Sequence, residues 1–273
     1  MIPGGREFYK MSGSGNDFVM IDARTEGRGR LDRPEVVQAV CARGTGVGAD
    51  GIVFLEPSNG ADIRLTYLNA DGSRADFCGN ATLCTTRLAT ELGVGGPGGV
   101  RIETDSGLVA ARIRDGRPQI DLQPVSDVRL DAAGIEAQTG EQRIGFALVG
   151  VPHLVILCAD VSAVDVVGRG RPLRSHPSLS HGANVNFVSP GADGGWRYRT
   201  YERGVEAETL ACGSGAVATG ILLSSWGLAE PPVEIRTRSG RTVAVNFQRS
   251  GGSWSPSLSG EGRVVYRGEL SEI

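Results

Sequence analysis

The chain has 273 residues, of which 40% are hydrophobic and 5% aromatic, enough for one large core or two smaller ones. Its 28 basic and 31 acidic side chains nearly balance, so no charge excess favours nucleic acid or an anionic membrane as a partner. A small-molecule ligand is favoured instead. The start, MIPGGREFYKMSGSGNDF, lacks a continuous apolar segment, and no run of about 18 apolar residues follows, so we expect a cytoplasmic protein without a secretion signal or membrane span.

Short segments rich in Val, Ile and Thr predict strands between many of the 41 glycines. In chain order they are GIVFLE (51–56), ADIRLTYL (61–68), LVAARIR (108–114), HLVILCAD (153–160), NVNFVSP (184–190), WRYRTYE (196–202) and RTVAVNF (241–247). The longest predicted helices follow Cys78 and Cys212 and stop at Gly93 and Gly227, as expected for a glycine just after a helix. The segment GTGVGADG (44–51) lacks the preceding strand and following helix of a dinucleotide-binding loop, and we interpret it as a turn into GIVFLE.

The second half of the chain repeats the pattern of the first. Residues 51–93 and 183–227 each read as a strand hairpin, a loop, a Cys-Gly pair and a helix, and a second hairpin follows each of them. A helix lying across a sheet that curls around it would bury both. We therefore predict an α+β fold of two pseudo-symmetric domains, each a curled, barrel-like mixed β-sheet around a central helix, with the active site in the cleft between them.

The polar, strand-poor stretch 124–145 is the expected boundary between the domains. The predicted N-terminal domain covers 1–124 and the C-terminal domain 145–262, its internal repeat. We expect the C-terminal residues to return and complete the first domain.

The repeat gives Cys78 and Cys212 equivalent positions in the first turn of a helix. The helix dipole there lowers the pKa of a thiol, and the unpaired N–H groups that follow bind an anion such as a substrate carboxylate. One thiolate and one thiol on opposite faces of a carbon are what a cofactor-free two-base epimerase needs. The expected backbone donors are those of Gly79, Asn80, Gly213 and Ser214.

Further polar residues suit an amino-acid zwitterion as the substrate. They are Asn16, Asn69, Asn184, Glu202 and Arg203. The remaining thiols, Cys41, Cys84 and Cys158, are expected to pack in the core. No metal site is predicted, because Cys78 and Cys84 are six positions apart on one helix and no clustered His or Cys completes a site.

Six ordered motifs spanning nearly the whole chain resemble diaminopimelate epimerase. They are KMSGSGNDFVMID (10–22), GTGVGADGIV (44–53), YLNADGSRADFCGN (67–80), GVPHLVIL (150–157), GANVNFV (182–188) and YERGVEAETLACGSG (201–215). The resemblance implies a bacterial isomerase, independent of pyridoxal phosphate and any other cofactor, that interconverts LL- and meso-diaminopimelate in lysine and peptidoglycan-precursor synthesis. It implies that Cys78 and Cys212 are the acid and base and that His153 and Glu202 assist their protonation balance.

The resemblance also places substrate contacts on the polar residues and backbone donors named above. Five positions depart from the family pattern: Ser12, Gly51, Ala81, Leu83 and Val151. We expect these departures to reduce the number of polar contacts to the distal end of the substrate. The resemblance therefore supports the type of reaction more strongly than the identity of the substrate.

Three alternatives remain open from the sequence. The chain could be a racemase of another amino acid, such as histidine, that keeps the cysteine pair, or a non-catalytic binding protein of the same fold. Oxidation could also join Cys78 to Cys212 in a disulfide and act as a redox switch. A homodimer is possible, and the sequence does not decide the oligomeric state or whether domains close over the substrate.

Overall fold

The computed structural model describes residues 5–271, and over this range the chain forms eighteen strands and four α-helices. The chain divides into two compact units. The first runs from the N-terminal strand to Ile120 and includes Gly260 onward, and the second spans Asp121–Ser259. None of the helices within residues 5–271 has both the length and the apolar character needed to cross a membrane.

The first unit contains most of the N-terminal half and the last strand. Its elements are β1 (Arg6–Gly13), β2 (Asn16–Asp22), α1 (Pro34–Cys41), β3 (Gly51–Glu56), β4 (Ile63–Asn69), β5 (Arg74–Ala75), α2 (Gly79–Glu91), β6 (Val100–Thr104), β7 (Gly107–Arg114), β8 (Arg117–Asp121) and β18 (Arg263–Leu270). Strands β2 and β3 are parallel, β3 and β4 antiparallel, and β4 and β6 parallel, which makes the sheet mixed. The C-terminal strand β18 pairs with β1.

The second unit repeats this order of elements. It contains β9 (Val128–Arg129), β10 (Glu141–Val149), β11 (Val151–Cys158), a 3₁₀ turn (Val161–Ala163), α3 (Val166–Arg174), β12 (Asn184–Pro190), β13 (Trp196–Glu202), β14 (Ala207–Thr209), α4 (Gly213–Ser225), β15 (Val233–Arg236), β16 (Thr242–Ser250) and β17 (Ser253–Ser259). Strands β11 and β12 are parallel, β12 and β13 antiparallel, and β13 and β15 parallel. The same sequence of pairings therefore occurs twice in the chain.

Each unit wraps its strands around one buried helix. In α2 only Arg87, Thr90 and Glu91 are not buried, and the helix packs on β1, β6 and β7. Helix α4 is buried at every residue from Gly215 to Leu223 and packs on β10, β11, β12 and β16. A helix that is buried on all sides needs no polar face, which fits the sequence GSGAVATGILLSS. The predicted α+β class, with a curled mixed sheet around a central helix, is confirmed.

Both buried helices end as the sequence predicts. Gly93 and Gly227 follow the C-caps with φ of +71° and +73°, in the left-handed region that glycine enters without steric cost. The N–H groups of Val94 and Leu228 reach back to carbonyls five residues earlier, at 2.8 and 2.9 Å. These are the 6→1 bonds of a Schellman motif.

The boundary between the units falls earlier than the predicted stretch 124–145. Backbone bonds explain this, since Leu122 donates to the carbonyl of Pro256 at 2.9 Å and Val125 and Trp254 exchange two bonds of 2.8 Å. The start of the stretch therefore belongs with β17 in the second unit. Within it lie β9 and the first residues of β10.

Candidate active site

Cys78 and Cys212 occupy the same local position in their units. Each is the N-cap of the buried helix and has an extended backbone, with φ −141° and ψ 112° at Cys78 and φ −128° and ψ 113° at Cys212. The first bonds of the helices run from the N–H of Thr82 and of Ala216 to the two cysteine carbonyls, at 2.9 Å in both. Each thiol therefore stands beside the positive end of a helix dipole.

The backbone N–H groups of the residues just before Thr82 and Ala216 have no helical carbonyl one turn earlier that could accept a hydrogen bond. They belong to Gly79 and Asn80 after Cys78 and to Gly213 and Ser214 after Cys212. Free N–H groups at a helix N-terminus suit a carboxylate. Each helix start thus has the donors that a substrate carboxylate requires.

Glu202 is a predicted site residue that forms a hydrogen bond with Cys212. It ends β13 and accepts a hydrogen bond from the hydroxyl of Thr209. Burial raises the pKa of Glu202, and hydrogen bonds with Thr209 and Cys212 offset part of that rise. A carboxyl group with a raised pKa beside a thiol is well placed to exchange a proton with it.

His153 is completely buried in β11. Its Nδ1 lies 3.3 Å from Nδ2 of Asn186, while its Nε2 has no hydrogen-bond partner among residues 5–271. Burial lowers the pKa of His153 to about 3, and the positive charge of Arg203 acts in the same direction. The imidazole is therefore neutral at physiological pH.

The lowered pKa of His153 predicts a pH-dependent loss of stability. Between pH 6.5 and about 3 the unfolded chain binds a proton that the folded chain does not, so stability present above pH 6.5 is lost as the pH falls. The free energy of unfolding should decline by up to about 1.4 kcal/mol per pH unit from this group. Denaturant titrations from pH 7 to 4 should show this slope in the wild type and its loss in His153→Gln.

The control is the same substitution at His181, whose side chain is exposed. His181→Gln should reproduce the pH dependence of the wild type. An identical pH dependence for His153→Gln and the wild type would show that burial of His153 does not govern acid stability.

In the first unit a chain of amides leads from a carboxylate to the start of α2. Asn16 donates from Nδ2 to Oδ2 of Asp50 at 2.9 Å, and Asn80 donates from Nδ2 to Oδ1 of Asn16 at 2.7 Å. A carboxylate only accepts, so Asp50 fixes the orientation of both amides. The Oδ1 atom of Asn80 is buried and has no partner among the described residues, which leaves an acceptor two residues after Cys78.

The remaining predicted substrate contacts lie near strand ends. Asn184 begins β12 and accepts the backbone N–H of Arg203 at 2.8 Å. The guanidinium of Arg203 donates to the carbonyl of His181 at 2.6 Å. Asn69 ends β4 and donates to the hydroxyl of Ser73 at 3.0 Å. The structure thus joins Asn184 to Arg203 within the second unit, whereas Asn69 contacts a neighbouring loop.

Two of the family departures change packing. Ala81 and Leu83 have no exposed surface and lie within α2, where their side chains pack in the core. The expectation that these departures reduce the polar contacts to the substrate stays a prediction. They belong to the core of the first unit.

The other three departures each make a local contact. A Cβ at Gly51 would lie 2.3 Å from the carbonyl oxygen of Leu68, so any larger residue there would require a backbone shift. Ser12 donates to Oε2 of Glu261 at 3.4 Å. Val151 is partly buried and pairs with Val149 across the β10–β11 hairpin.

The thiols outside the two helix starts pack in the core, as predicted. Cys41, Cys84 and Cys158 are all buried. Burial raises the pKa of Cys41 to about 11 and of Cys158 to about 12, and it raises the pKa of Cys84 further. These three thiols are therefore uncharged at neutral pH and poor nucleophiles.

Comparison with known sequences identifies the family of the chain. A sequence profile described as diaminopimelate epimerase matches residues 8–126 and 145–268. The chain belongs to the diaminopimelate epimerase family. It is 52% identical to a diaminopimelate epimerase of Gemmatimonas aurantiaca over 97% of this chain and 99% of that protein. It is 40% identical to one of Aquifex aeolicus over 97% of this chain and 98% of the relative.

Solved structures support the fold of this diaminopimelate epimerase family member. A phenazine biosynthesis protein of the PhzF family from Bacillus anthracis superposes with a TM-score of 0.74 at 15% identity, over 98% of this chain and 99% of the other. A probable proline racemase from Agrobacterium radiobacter gives a TM-score of 0.67 at 18% identity, over 97% and 93%. The predicted family and isomerase class are confirmed by the profile and the curated relatives.

Proposed function

We propose that this protein is a cofactor-independent epimerase that converts LL- to meso-diaminopimelate with Cys78 and Cys212 as its two bases. The observation that carries the proposal is that these cysteines are the N-caps of the equivalent buried helices in the two repeated units. Membership of the diaminopimelate epimerase family supports the substrate. The proposal includes the prediction that both thiols face one substrate carbon.

The reaction needs one proton removed and one delivered. A thiolate takes the Cα proton and becomes a thiol, leaving a carbanion whose charge spreads onto the substrate carboxylate. The opposing thiol then delivers its proton to the other face of the carbon and becomes a thiolate. The centre is inverted, and the protein returns to an equivalent state with the two thiol roles exchanged.

The helix starts supply the electrostatic stabilisation. Charge develops on the carboxylate in the transition state, where preorganised N–H donors are most effective. We assign this task to the backbone donors of Gly79, Asn80, Gly213 and Ser214. The glycine after each cysteine allows the backbone to approach the ligand closely.

The polar side chains then fix the substrate and the protonation of the thiols. The charged groups of the amino acid are proposed to be bound by five side chains, those of Asn16, Asn69, Asn184, Glu202 and Arg203. Two further residues are proposed to balance the protonation of the cysteines. They are Glu202, which is hydrogen-bonded to Cys212, and the neutral His153. We propose that the enzyme acts in the diaminopimelate branch of lysine biosynthesis, which the names of its relatives support.

A substrate panel in deuterated water tests the proposed substrate. LL-diaminopimelate, L-histidine, L-lysine and L-glutamate are each incubated with the protein, and deuterium at Cα and the stereochemistry of the product are measured. Only LL-diaminopimelate should be inverted, and a carbonyl reagent that traps pyridoxal phosphate, or a metal chelator, should leave the rate unchanged. Inversion of another amino acid with none of diaminopimelate would overturn the substrate, and loss of activity to either reagent would overturn cofactor independence.

A further inference from the structure

A buried polar cluster on β12 and β13 contains none of the site residues predicted from the sequence. The Asn186 cluster consists of Asn186 on β12 and of Tyr198 and Thr200 on β13. Their exposed fractions are 0%, 2% and 0%. Asn186 lies opposite Thr200 in the antiparallel register, and Tyr198 is two residues from Thr200, so the three side chains share one face of the sheet.

The orientation of the Asn186 amide is fixed from both ends. Its Nδ2 donates to the backbone carbonyl of Leu154 at 2.7 Å, and a carbonyl can only accept. Its Oδ1 accepts the hydroxyl protons of Tyr198 at 2.7 Å and of Thr200 at 3.0 Å. A flipped amide would lose the bond to Leu154 and place two oxygens against each other.

This orientation determines the tautomer of His153. The second proton on Nδ2 of Asn186 points at Nδ1 of His153, 3.3 Å away. A proton on Nδ1 would set two donors against each other, so Nδ1 must carry the lone pair. The proton of the neutral imidazole is then on Nε2, which is buried and has no partner among the described residues.

The same cluster also supports the helix that begins beside Cys212. A Cβ at Gly215, the third residue of α4, would lie 2.3 Å from both Oδ1 of Asn186 and the hydroxyl oxygen of Tyr198. The Tyr198 hydroxyl is also 3.5 Å from the carbonyl of Cys212. The Asn186 cluster therefore contacts the start of α4. Through the amide of Asn186 it also contacts the ring of His153.

We propose that Asn186 is a positioning residue that holds His153 as the Nε2–H tautomer, so that this ring presents a hydrogen-bond donor to the thiol or to the bound substrate. The identity of the atom that accepts this hydrogen bond rests on the proposed function. The tautomer itself does not. The positive charge of Arg203 also acts on the ring and disfavours a second proton on it. A donor that the fold leaves unpaired is available to whichever group occupies the site.

Nitrogen NMR of the wild-type protein tests the tautomer directly. The chain has three histidines, so ¹⁵N-histidine labelling gives few signals, and His153→Gln assigns one set. Long-range ¹H–¹⁵N correlations should show Nε2 protonated and Nδ1 unprotonated from pH 8 to 5. A proton on Nδ1, or a charged ring at pH 7, would overturn the proposal.

Asn186→Asp tests the cause of this preference. A carboxylate at this position accepts from Nδ1, so the His153 proton should move to Nδ1 or the ring should become doubly protonated. Asn186→Ala, which removes the bond altogether, should populate both tautomers and provides a second test if the aspartate variant does not fold. An unchanged Nε2–H signal in a folded variant would show that Asn186 does not set the tautomer.

Asn246→Asp is the matched control, because Asn246 is exposed on β16 of the same unit. It introduces the same charge and should leave the His153 signals unchanged; a shift of the His153 proton there as well would overturn the assignment to Asn186.

Kinetics measured on the same proteins separate this inference from the proposed function. With diaminopimelate, kcat of Asn186→Asp should fall by about 10²-fold or more, with a smaller change in KM, since a wrong histidine tautomer disables proton transfer. If the wild type shows the Nε2–H tautomer but inverts no amino acid, the proposed function fails and the positioning role stands. If the wild type is active and Asn186→Asp moves the proton without lowering kcat, the catalytic purpose of the tautomer is wrong.

Discussion

Replacing either Cys78 or Cys212 with alanine is expected to lower kcat for epimerisation by about 10²- to 10⁴-fold. Each substitution removes one of the two groups proposed to move the Cα proton, and in that mechanism the remaining thiol serves only one face of the carbon. The effect should fall on kcat more than on KM, because the backbone donors at the helix starts remain in place. Rates of meso-diaminopimelate formation from the LL isomer measure this.

Cys158→Ala is the matched control for these two variants. Cys158 is a buried thiol in β11, so the substitution removes a sulfur atom without touching either helix start. Its kcat should remain within a few-fold of the wild type. Full activity of Cys78→Ala or Cys212→Ala would end the two-base hypothesis.

The second large effect is expected at Asp50, which the sequence did not single out as a site residue. Asp50→Ala should raise KM for diaminopimelate by about 10- to 10²-fold, since it removes a charge-assisted hydrogen bond of about 1.5–3 kcal/mol. Without that carboxylate the Asn16 amide can rotate, and the Asn80 amide loses its fixed acceptor. KM and kcat measured separately should show the change mainly in KM.

Two further variants make the Asp50 test specific. Asp50→Asn keeps one acceptor oxygen for Asn16 and should give an intermediate KM. Asp32→Ala removes an aspartate of the same unit that forms a long ion pair of 3.9 Å with Arg28, and it should leave KM unchanged. A wild-type KM in Asp50→Ala, with unfolding curves that match the wild type, would show that Asp50 does not orient the proposed substrate contacts.

The repeated architecture could be predicted because its signals are local. Each buried helix begins at the glycine of a Cys-Gly pair and is followed by a glycine with positive φ. The strands between them read as short β-branched segments. Such signals depend on neighbouring residues alone.

Helix α3 could not be predicted because its own sequence opposes it. It contains Gly168, Gly170 and Pro172, residues of low helix propensity. Tertiary contacts override that preference. Asp165 caps the helix by accepting the N–H of Gly168 at 2.9 Å, and Gly170 lies so close to Tyr201 that a Cβ would be 2.6 Å from its side chain.

The positioning residues were missed for a different reason. The roles of Asp50 and Asn186 come from hydrogen bonds to other strands, which no local pattern records. A weak signal existed for Asn186, since it follows Asn184 by two residues and so lies on the same face of β12. For Asp50 the only cue is its place at the end of the GTGVGADG turn, immediately before β3.

The isotopic content of the first product tests the central claim most directly. The protein is incubated with LL-diaminopimelate in deuterated water, and substrate and product are separated before a tenth of the substrate has reacted. Two thiols on opposite faces predict that each meso molecule carries one deuterium at the inverted centre while the remaining LL substrate carries none. Product that retains the original proton would mean that a single group serves both faces, and it would contradict the roles assigned here to Cys78 and Cys212.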